Sequence, residues 1–337
     1  MDIAEELVDT LYRPDGSRAL RPVHSIGIAA TGHFTASDVA HDYCTAAHFS
    51  GDEVPVNLRF SNGSGCAVAH DGWSDVRGMA TRFHLPDGSA TDLVAMTLPE
   101  FFAPTPETFL EFAKEAQPVP VVRQTPWQKF KSMLALTPPL PNPYPGETIS
   151  PDPGAIRFAD KHKYAQLAVW QAANIGAPQS YARASYHAVH TFVVTGADGT
   201  KRWVRFTWQP VAGVLNTNPL APPVDRYLQK ELRERLDHAP ARFSLMMVIG
   251  EVGDPFNDST KPWPPHRRRI SMGELTLTHV PDNQEAESEK MSFNPCLLTD
   301  GIALSDDPVL RIRKEVYETS SKWRGATPCP FGKGAAS

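Results

Sequence analysis

The stretch Gly78-Met79-Ala80-Thr81-Arg82-Phe83-His84-Leu85-Pro86-Asp87-Gly88-Ser89-Ala90-Thr91-Asp92-Leu93-Val94-Ala95-Met96-Thr97 reads as a β-hairpin. Two runs of alternating apolar character flank a Pro-Asp-Gly turn, which reverses the chain locally and so makes the pair antiparallel. A second such turn, Gly196-Ala197-Asp198-Gly199, separates the strand-like runs 187–195 and 201–209. The same alternation appears over 26–34, 54–62, 242–252 and 272–280. These eight runs divide four and four around a long insertion. That arrangement predicts one closed eight-stranded antiparallel β-barrel.

The insertion is proline-rich. Between Gln117 and Gly154 lie Pro118, Pro120, Pro126, Pro138, Pro139, Pro141, Pro143, Pro145, Pro151 and Pro153. Proline removes a backbone donor and fixes φ, so residues 117–154 are expected as an extended wrapping connection. Helices are expected outside the barrel over 2–12, 106–116, 160–174, 224–236 and 307–323, which gives an α+β class. Residues 1–20 would form a short N-terminal arm, and 1–337 a single domain.

The net charge is −5. No run of Lys and Arg is long enough to track a phosphate backbone, so nucleic acid is not an expected partner. The densest basic run, His266-Arg267-Arg268-Arg269, reads as a solvated turn. Cys44, Cys66, Cys296 and Cys329 have no metal-site or disulfide-framework spacing, and they suit a reducing compartment. No membrane span and no secretory leader is visible, so the expected location is cytoplasmic.

The last helix carries the most chemistry. Asp307-Pro308 is a good helix start. Val309, Ile312 and Val316 form an apolar stripe, and Arg313, Tyr317 and Arg324 share another face, four and eleven residues apart. A phenol is ordinarily a poor metal ligand at neutral pH, but a guanidinium one turn away favours its charged form. By itself the pattern suits a half-buried tyrosine among charged neighbours better than a metal ligand.

Several ordered motifs decide between these. Arg21-Pro22-Val23-His24-Ser25-Ile26-Gly27 resembles the catalase segment R-V-V-H-A-x-G. Arg59-Phe60-Ser61 resembles its R-F-S strand, and Asp75-Val76-Arg77-Gly78-Met79-Ala80 its D-x-R-G-F-A. The run from Asp92 to Phe102 is similar to D-L-V-G-N-N-T-P-x-F-F, and His187-Ala188-Val189-His190-Thr191-Phe192 to G-x-x-H-T-F. Phe293-Asn294-Pro295 matches F-x-P, and Arg313 to Tyr317 with Arg324 is similar to R-L-F-x-Y…R. The matches span about residues 20–325 in order. The chain resembles the catalase superfamily, and within it the small catalase-related peroxidases.

That resemblance implies haem b, with Tyr317 as the axial iron ligand. It implies His24 as the distal base oriented by Ser61, and Arg21, Arg59 and Arg324 on the haem propionates. Val23, Phe101 and Phe109 would pack on the porphyrin. Arg313 would act on Tyr317 within a relay through His190 to Asp307. Asp307 is then asked both to cap the helix and to hold His190. One position departs from the family: Met96 stands where an asparagine is expected, followed by Thr97. A thioether donates no hydrogen bond. Losing a preorganised donor beside developing charge costs about 10²–10³ in rate. The expected activity is therefore reduction of organic hydroperoxides and hydrogen peroxide by a small-molecule electron donor, with weak catalase activity. Other readings are a fatty-acid hydroperoxide isomerase and a non-catalytic haem-binding or sensing protein. A homo-oligomer, a dimer by preference, is expected.

Overall fold

The computed structural model describes residues 2–12, 18, 20–63, 70–116, 127, 153–218 and 223–325. The proline-rich connection lies outside them except for Trp127, Pro153 and Gly154, as do Cys66 and Cys329. The chain opens with helix α1 (Ile3–Tyr12) and strand β1 (Gly27–Ala36). A short helix α2 (Ala40–Tyr43) and strands β2 (Val54–Asn62), β3 (Arg77–His84) and β4 (Ala90–Met96) follow. Helix α3 (Pro106–Glu115) leads to α4 (Pro153–Lys161) and α5 (Gln166–Asn174). Then come β5 (Tyr186–Thr195), β6 (Lys201–Pro210), α6 (Tyr227–His238), β7 (Ala241–Ile249) and β8 (Arg269–His279). The described residues end with α7 (Gln284–Lys290), β9 (Ile302–Leu304) and α8 (Pro308–Trp323).

The sheet order is β4-β3-β2-β1-β8-β7-β6-β5-β9, and a β4–β5 pairing closes it into a barrel of antiparallel strands. Closure rests on the register pair Met96↔His187. Beyond it, β9 pairs with Phe192, Val193 and Val194 of β5. The eight expected strands are present; β9 is an addition too short to show a period. Both expected hairpin turns form, with Gly88 at φ 83° and Gly199 at φ 74°, where glycine is unstrained.

Alternation assigns each strand two faces. Val54, Val56, Leu58 and Phe60 point inward and are fully buried, with Phe34, Phe83, Trp208 and Phe243. Arg59 and Ser61 therefore point outward, toward the helices. The expected helix 160–174 is corrected to two: α4 ends at Lys161, and His162 turns extended at φ −121°, ψ 94° before a 3₁₀ turn leads into α5. The ring of His162 packs 4.4 Å from Phe158, and its Nε2 lies 3.0 Å from Glu111, which draws the chain out of the helix. The expected strand 242–252 stops at Ile249, because Gly250 closes against Phe256 and Trp263. Within the basic run 266–269, Arg267 is the residue paired with carboxylates: it makes two 2.8 Å bonds to Asp254 and pairs with Glu251, while Arg268 and Arg269 are exposed.

Inside the barrel, His48 is buried between Phe49 and Phe83, with ring centroids 4.1 and 4.6 Å away, and its Nδ1 has no partner. A cavity of about 20 Å³ adjoins it. Burial holds this imidazole at a pKa of about 3. The unfolded chain takes up the proton near pH 6.5, so His48 lowers stability as pH falls from about 6.5 toward 3. His48→Leu is expected to raise stability by about 1–3 kcal/mol at pH 7.5 by removing the unpaired group. It should also shrink the loss of Tm between pH 7.5 and 5. Thermal scans at both values check this, and an unchanged acid dependence would count against it.

Candidate functional site

The site forms on the outer face of the barrel wall. One row of register partners crosses it: Gly27↔Ser61, Ser61↔Gly78, Gly78↔Met96 and Met96↔His187. Paired residues share a face, so Ser61, Met96 and His187 project to the same side. His24 reaches over this row from the loop before β1. Its backbone adopts φ 57°, an unusual conformation for a non-glycine residue. Its amide bonds to Gly63 O at 3.2 Å. Its Nδ1 lies 3.0 Å from Ser61 Oγ, which fixes the ring. A Cβ at Gly78 would come within 2.6 Å of Ser61 Oγ and 2.9 Å of His24 Nδ1. Gly78 is thus the floor on which the imidazole rests. Its place inside a strand, where glycine weakens packing, was the available signal. Desolvation first, then the Arg59 charge, holds His24 at a pKa of about 3, so it is neutral at pH 7.

Arg59 is buried and donates to His24 O at 2.8 Å, Ser25 O at 2.9 Å and Ser288 Oγ at 2.6 Å. A Cβ at Gly27 would lie 2.5 Å from its guanidinium carbon. Arg21 donates to Glu289 at 2.9 Å and to the carbonyls of Ser288 and Met291 at 2.6 Å each. Arg324 donates to the carbonyls of Glu289 and Met291 at 2.6 and 3.1 Å. The three expected arginines therefore converge on the end of α7. Burial pushes all three below the usual arginine value, Arg59 to about 10, and Arg59 and Arg324 also repel Arg21. Glu289 is the carboxylate paired with Arg21 and lies 3.7 Å from Arg59. Among the described side chains three guanidinium groups face one carboxylate, an excess of two positive charges, and Arg324 Nε has no partner. Two further carboxylates would balance the cluster, which fits the two propionates of the implied haem.

Facing this is α8. Arg313 Nη2 donates to Tyr317 Oη at 2.6 Å, and its guanidinium carbon lies 5.2 Å from the tyrosine ring centroid. Asp307 meets both of its demands by dividing its oxygens. Oδ1 accepts from the amides of Val309 and Leu310 at 2.9 and 3.2 Å, capping the helix. Oδ2 lies 2.7 Å from His190 Nδ1. Burial would raise the Asp307 carboxyl, but the His190 bond and the helix amides hold it below its usual value. Burial keeps His190 neutral, so its Nδ1–H donates to the carboxylate and Nε2 is left as an acceptor. That Nε2 is buried without a hydrogen-bond partner, so the implied link from Arg313 to His190 is not closed by a hydrogen bond.

Phe101 is buried 5.7 Å from the His190 ring and meets Phe109 edge-on at 5.3 Å. Met96 packs against the buried cluster of Phe101, Ala103, Val189 and Val309. Val23 is 36% exposed, an apolar side chain left on the loop that carries His24. Thr97 Oγ1 accepts from Arg77 N at 2.9 Å and so faces β3. His187, absent from the sequence-based site, adjoins Met96 across the closing seam. Its Nδ1 lies 3.2 Å from Thr207 Oγ1, and burial lowers its pKa to about 4. Among the described residues no group of three or more His, Cys, Asp and Glu could hold a metal ion. No helix of the described residues is long and apolar enough to cross a membrane.

The barrel has the fold of the solved catalases. A bacterial catalase superposes with TM-score 0.73 at 21% identity, covering 91% of this chain and 58% of that one. Catalase A from Saccharomyces cerevisiae gives 0.72 at 23%, covering 91% and 61%. The chain thus spans about 60% of the length of these catalases. The family model described as Catalase matches residues 6–138 and 245–328. A catalase-related peroxidase from Mycolicibacterium paratuberculosis is 32% identical over 95% of this chain and 94% of its own length. Another, from Synechococcus elongatus, is 29% identical over 88% and 81%. The chain belongs to the catalase family and is an oxidoreductase acting on peroxide.

Proposed function

We propose that the chain is a haem b peroxidase that reduces organic hydroperoxides and hydrogen peroxide with a small-molecule electron donor, and that its catalase activity is weak. The observation that carries this reading is Met96, one strand from the glycine beneath His24 and on the same face as Ser61. At that place the pocket offers a thioether, which suits an apolar peroxide substituent and gives the distal oxygen no donor.

When bound, haem would supply the iron that takes up peroxide and its two oxidising equivalents. Tyr317 would be its ligand, with Arg313 on the phenol oxygen. Arg21, Arg59 and Arg324 would hold the propionates, while Val23, Phe101 and Phe109 would pack against the ring. His190 and Asp307 would seat the ligand helix. His24, neutral and held by Ser61, would accept the proton from the inner peroxide oxygen and return it to the outer one as the O–O bond breaks. The relatives' name, catalase-related peroxidase, agrees with this chemistry.

The test uses protein purified from haem-supplemented cells. Its absorption spectrum is recorded, and cumene hydroperoxide or hydrogen peroxide is added with and without a reducing dye. Dye oxidation with little oxygen release is the expected result. Vigorous oxygen release would overturn the weak-catalase reading, and hydroperoxide conversion without reductant would favour an isomerase. Met96→Asn should raise oxygen release by about tenfold or more, recovering part of what a missing donor costs. No gain would mean that position 96 does not limit catalase turnover.

A further inference from the structure

We propose that Trp203, Phe256 and Trp263 form a surface site where a planar aromatic reductant, a phenol or an aromatic amine, gives up its electrons, and that the outer face of β6 connects this site to His190. The proposal rests on the peroxidase reading above.

Strand β6 alternates: Val204, Phe206 and Trp208 are buried inside the barrel, so Trp203, Arg205 and Thr207 lie on the outer face that also carries the Met96 row. At one end, Thr207 meets His187, the register partner of Met96. In the middle, Arg205 Nε lies 3.4 Å from Thr191 Oγ1, next in sequence to His190. The Arg205 guanidinium is fixed by the carbonyls of Lys261, Asp258 and Pro255 at 3.0, 3.2 and 3.3 Å, and sits 4.6 Å from the centroid of Trp263. Trp263 meets Phe256 edge-on at 5.7 Å. Phe256 stacks on Trp203 at 4.5 Å, with 6° between the planes. At the outer end, Trp203 is 42% exposed.

The stack has a dedicated cradle. A Cβ at Gly250 would come 2.6 Å from Phe256 and 2.9 Å from Trp263. Indole is among the side chains most readily oxidised by one electron. Here two indoles lie on one contact path from solvent to Thr191, the backbone neighbour of the buried His190. An exposed indole face stacks well on a flat aromatic ring, and loss of an electron by that ring is the step a peroxidase requires.

The balance is ROOH + 2 ArOH → ROH + H₂O + 2 ArO•. Trp263 passes one electron inward and Trp203 refills it across Phe256. The reductant on Trp203 replaces that electron and releases a proton to solvent. The sequence runs twice for each peroxide, and two protons are taken up where the O–O bond breaks.

The experiment treats the haem-loaded protein with one equivalent of cumene hydroperoxide and a nitroso spin trap, without reductant, and maps adducts by peptide mass spectrometry. Adducts at Trp203 or Trp263 are expected. In steady state, Trp203→Phe should lower kcat/KM for a bulky aromatic amine dye by about tenfold or more. Gly250→Ala, which breaks the stack, should act in the same direction. If wild-type protein fails to consume the hydroperoxide, the peroxidase reading and this inference both fall. If it consumes the hydroperoxide but no adduct maps to either tryptophan, or Trp203→Phe oxidises the dye at the wild-type rate, the surface site alone is overturned.

Discussion

His24→Ala is expected to slow peroxide reduction by about 10²–10⁴-fold, the usual worth of a positioned acid–base group. The effect should appear in the first, peroxide-consuming step under stopped flow, with the haem spectrum before mixing unchanged. The pH profile gives a sharper signature. An ordinary imidazole would lose its basic form below about pH 6.5. Here desolvation and the neighbouring Arg59 charge hold the folded value at about 3. The neutral form is the active one, so the acid limb of the wild-type rate should lie near pH 3 and not near 6.5. A limb at 6.5 would place the proton transfer on another group. Added imidazole should partly restore the alanine variant, because Gly78 and Ser61 leave the space and the hydrogen-bond partner in place.

Tyr317→Phe is the second large effect. The substitution removes one oxygen and keeps the ring, so the packing of α8 against α1 and α3 survives. It also takes away the acceptor of the Arg313 bond. Protein purified from haem-supplemented cells should then carry far less haem per chain, and what remains should lack a phenolate charge-transfer band. Arg313→Gln keeps the phenol but loses its charged partner. It should weaken haem retention by about 10–100-fold, as loss of an outer partner of a metal ligand commonly does. Circular dichroism distinguishes both outcomes from unfolding. A Tyr317→Phe protein with wild-type haem content and spectrum would remove Tyr317 from the ligand position.

The barrel was legible because its signals are local. The turns at Pro86-Asp87-Gly88 and Gly196 to Gly199 fix antiparallel pairs, and Val54, Val56, Leu58 and Phe60 show the period directly. Helix α7 was not legible. Gln284–Lys290 is almost wholly polar and has no apolar stripe to announce a helix. Its end is gripped by Arg21, Arg59 and Arg324, contacts spanning up to 268 residues. The break at His162 likewise depends on Glu111 and Phe158. In the site, the motif residues do assemble: His24 with Ser61, His190 with Asp307, and Arg313 with Tyr317. The adjacency of Met96 to Gly78 and His187 was hidden, because it follows from barrel register and not from spacing along the chain.

The divided carboxylate of Asp307 has a mechanical consequence. It grips the first turn of α8 with one oxygen and the barrel wall, through His190, with the other. Asp307 is therefore a hinge at the start of the helix, while packing on α1 and α3 and the Arg324 bonds hold the rest. Tyr317 lies ten residues along it, an arm of about 15 Å at roughly 1.5 Å per residue. On an arm of that length, a tilt of roughly 4° at the hinge swings the tyrosine by about 1 Å. A misplacement of that size can cost about a hundredfold in rate. The placement of Tyr317 is thus set from two ends, by how stiffly Asp307 clamps helix to wall and by the packing of α8 on α1 and α3.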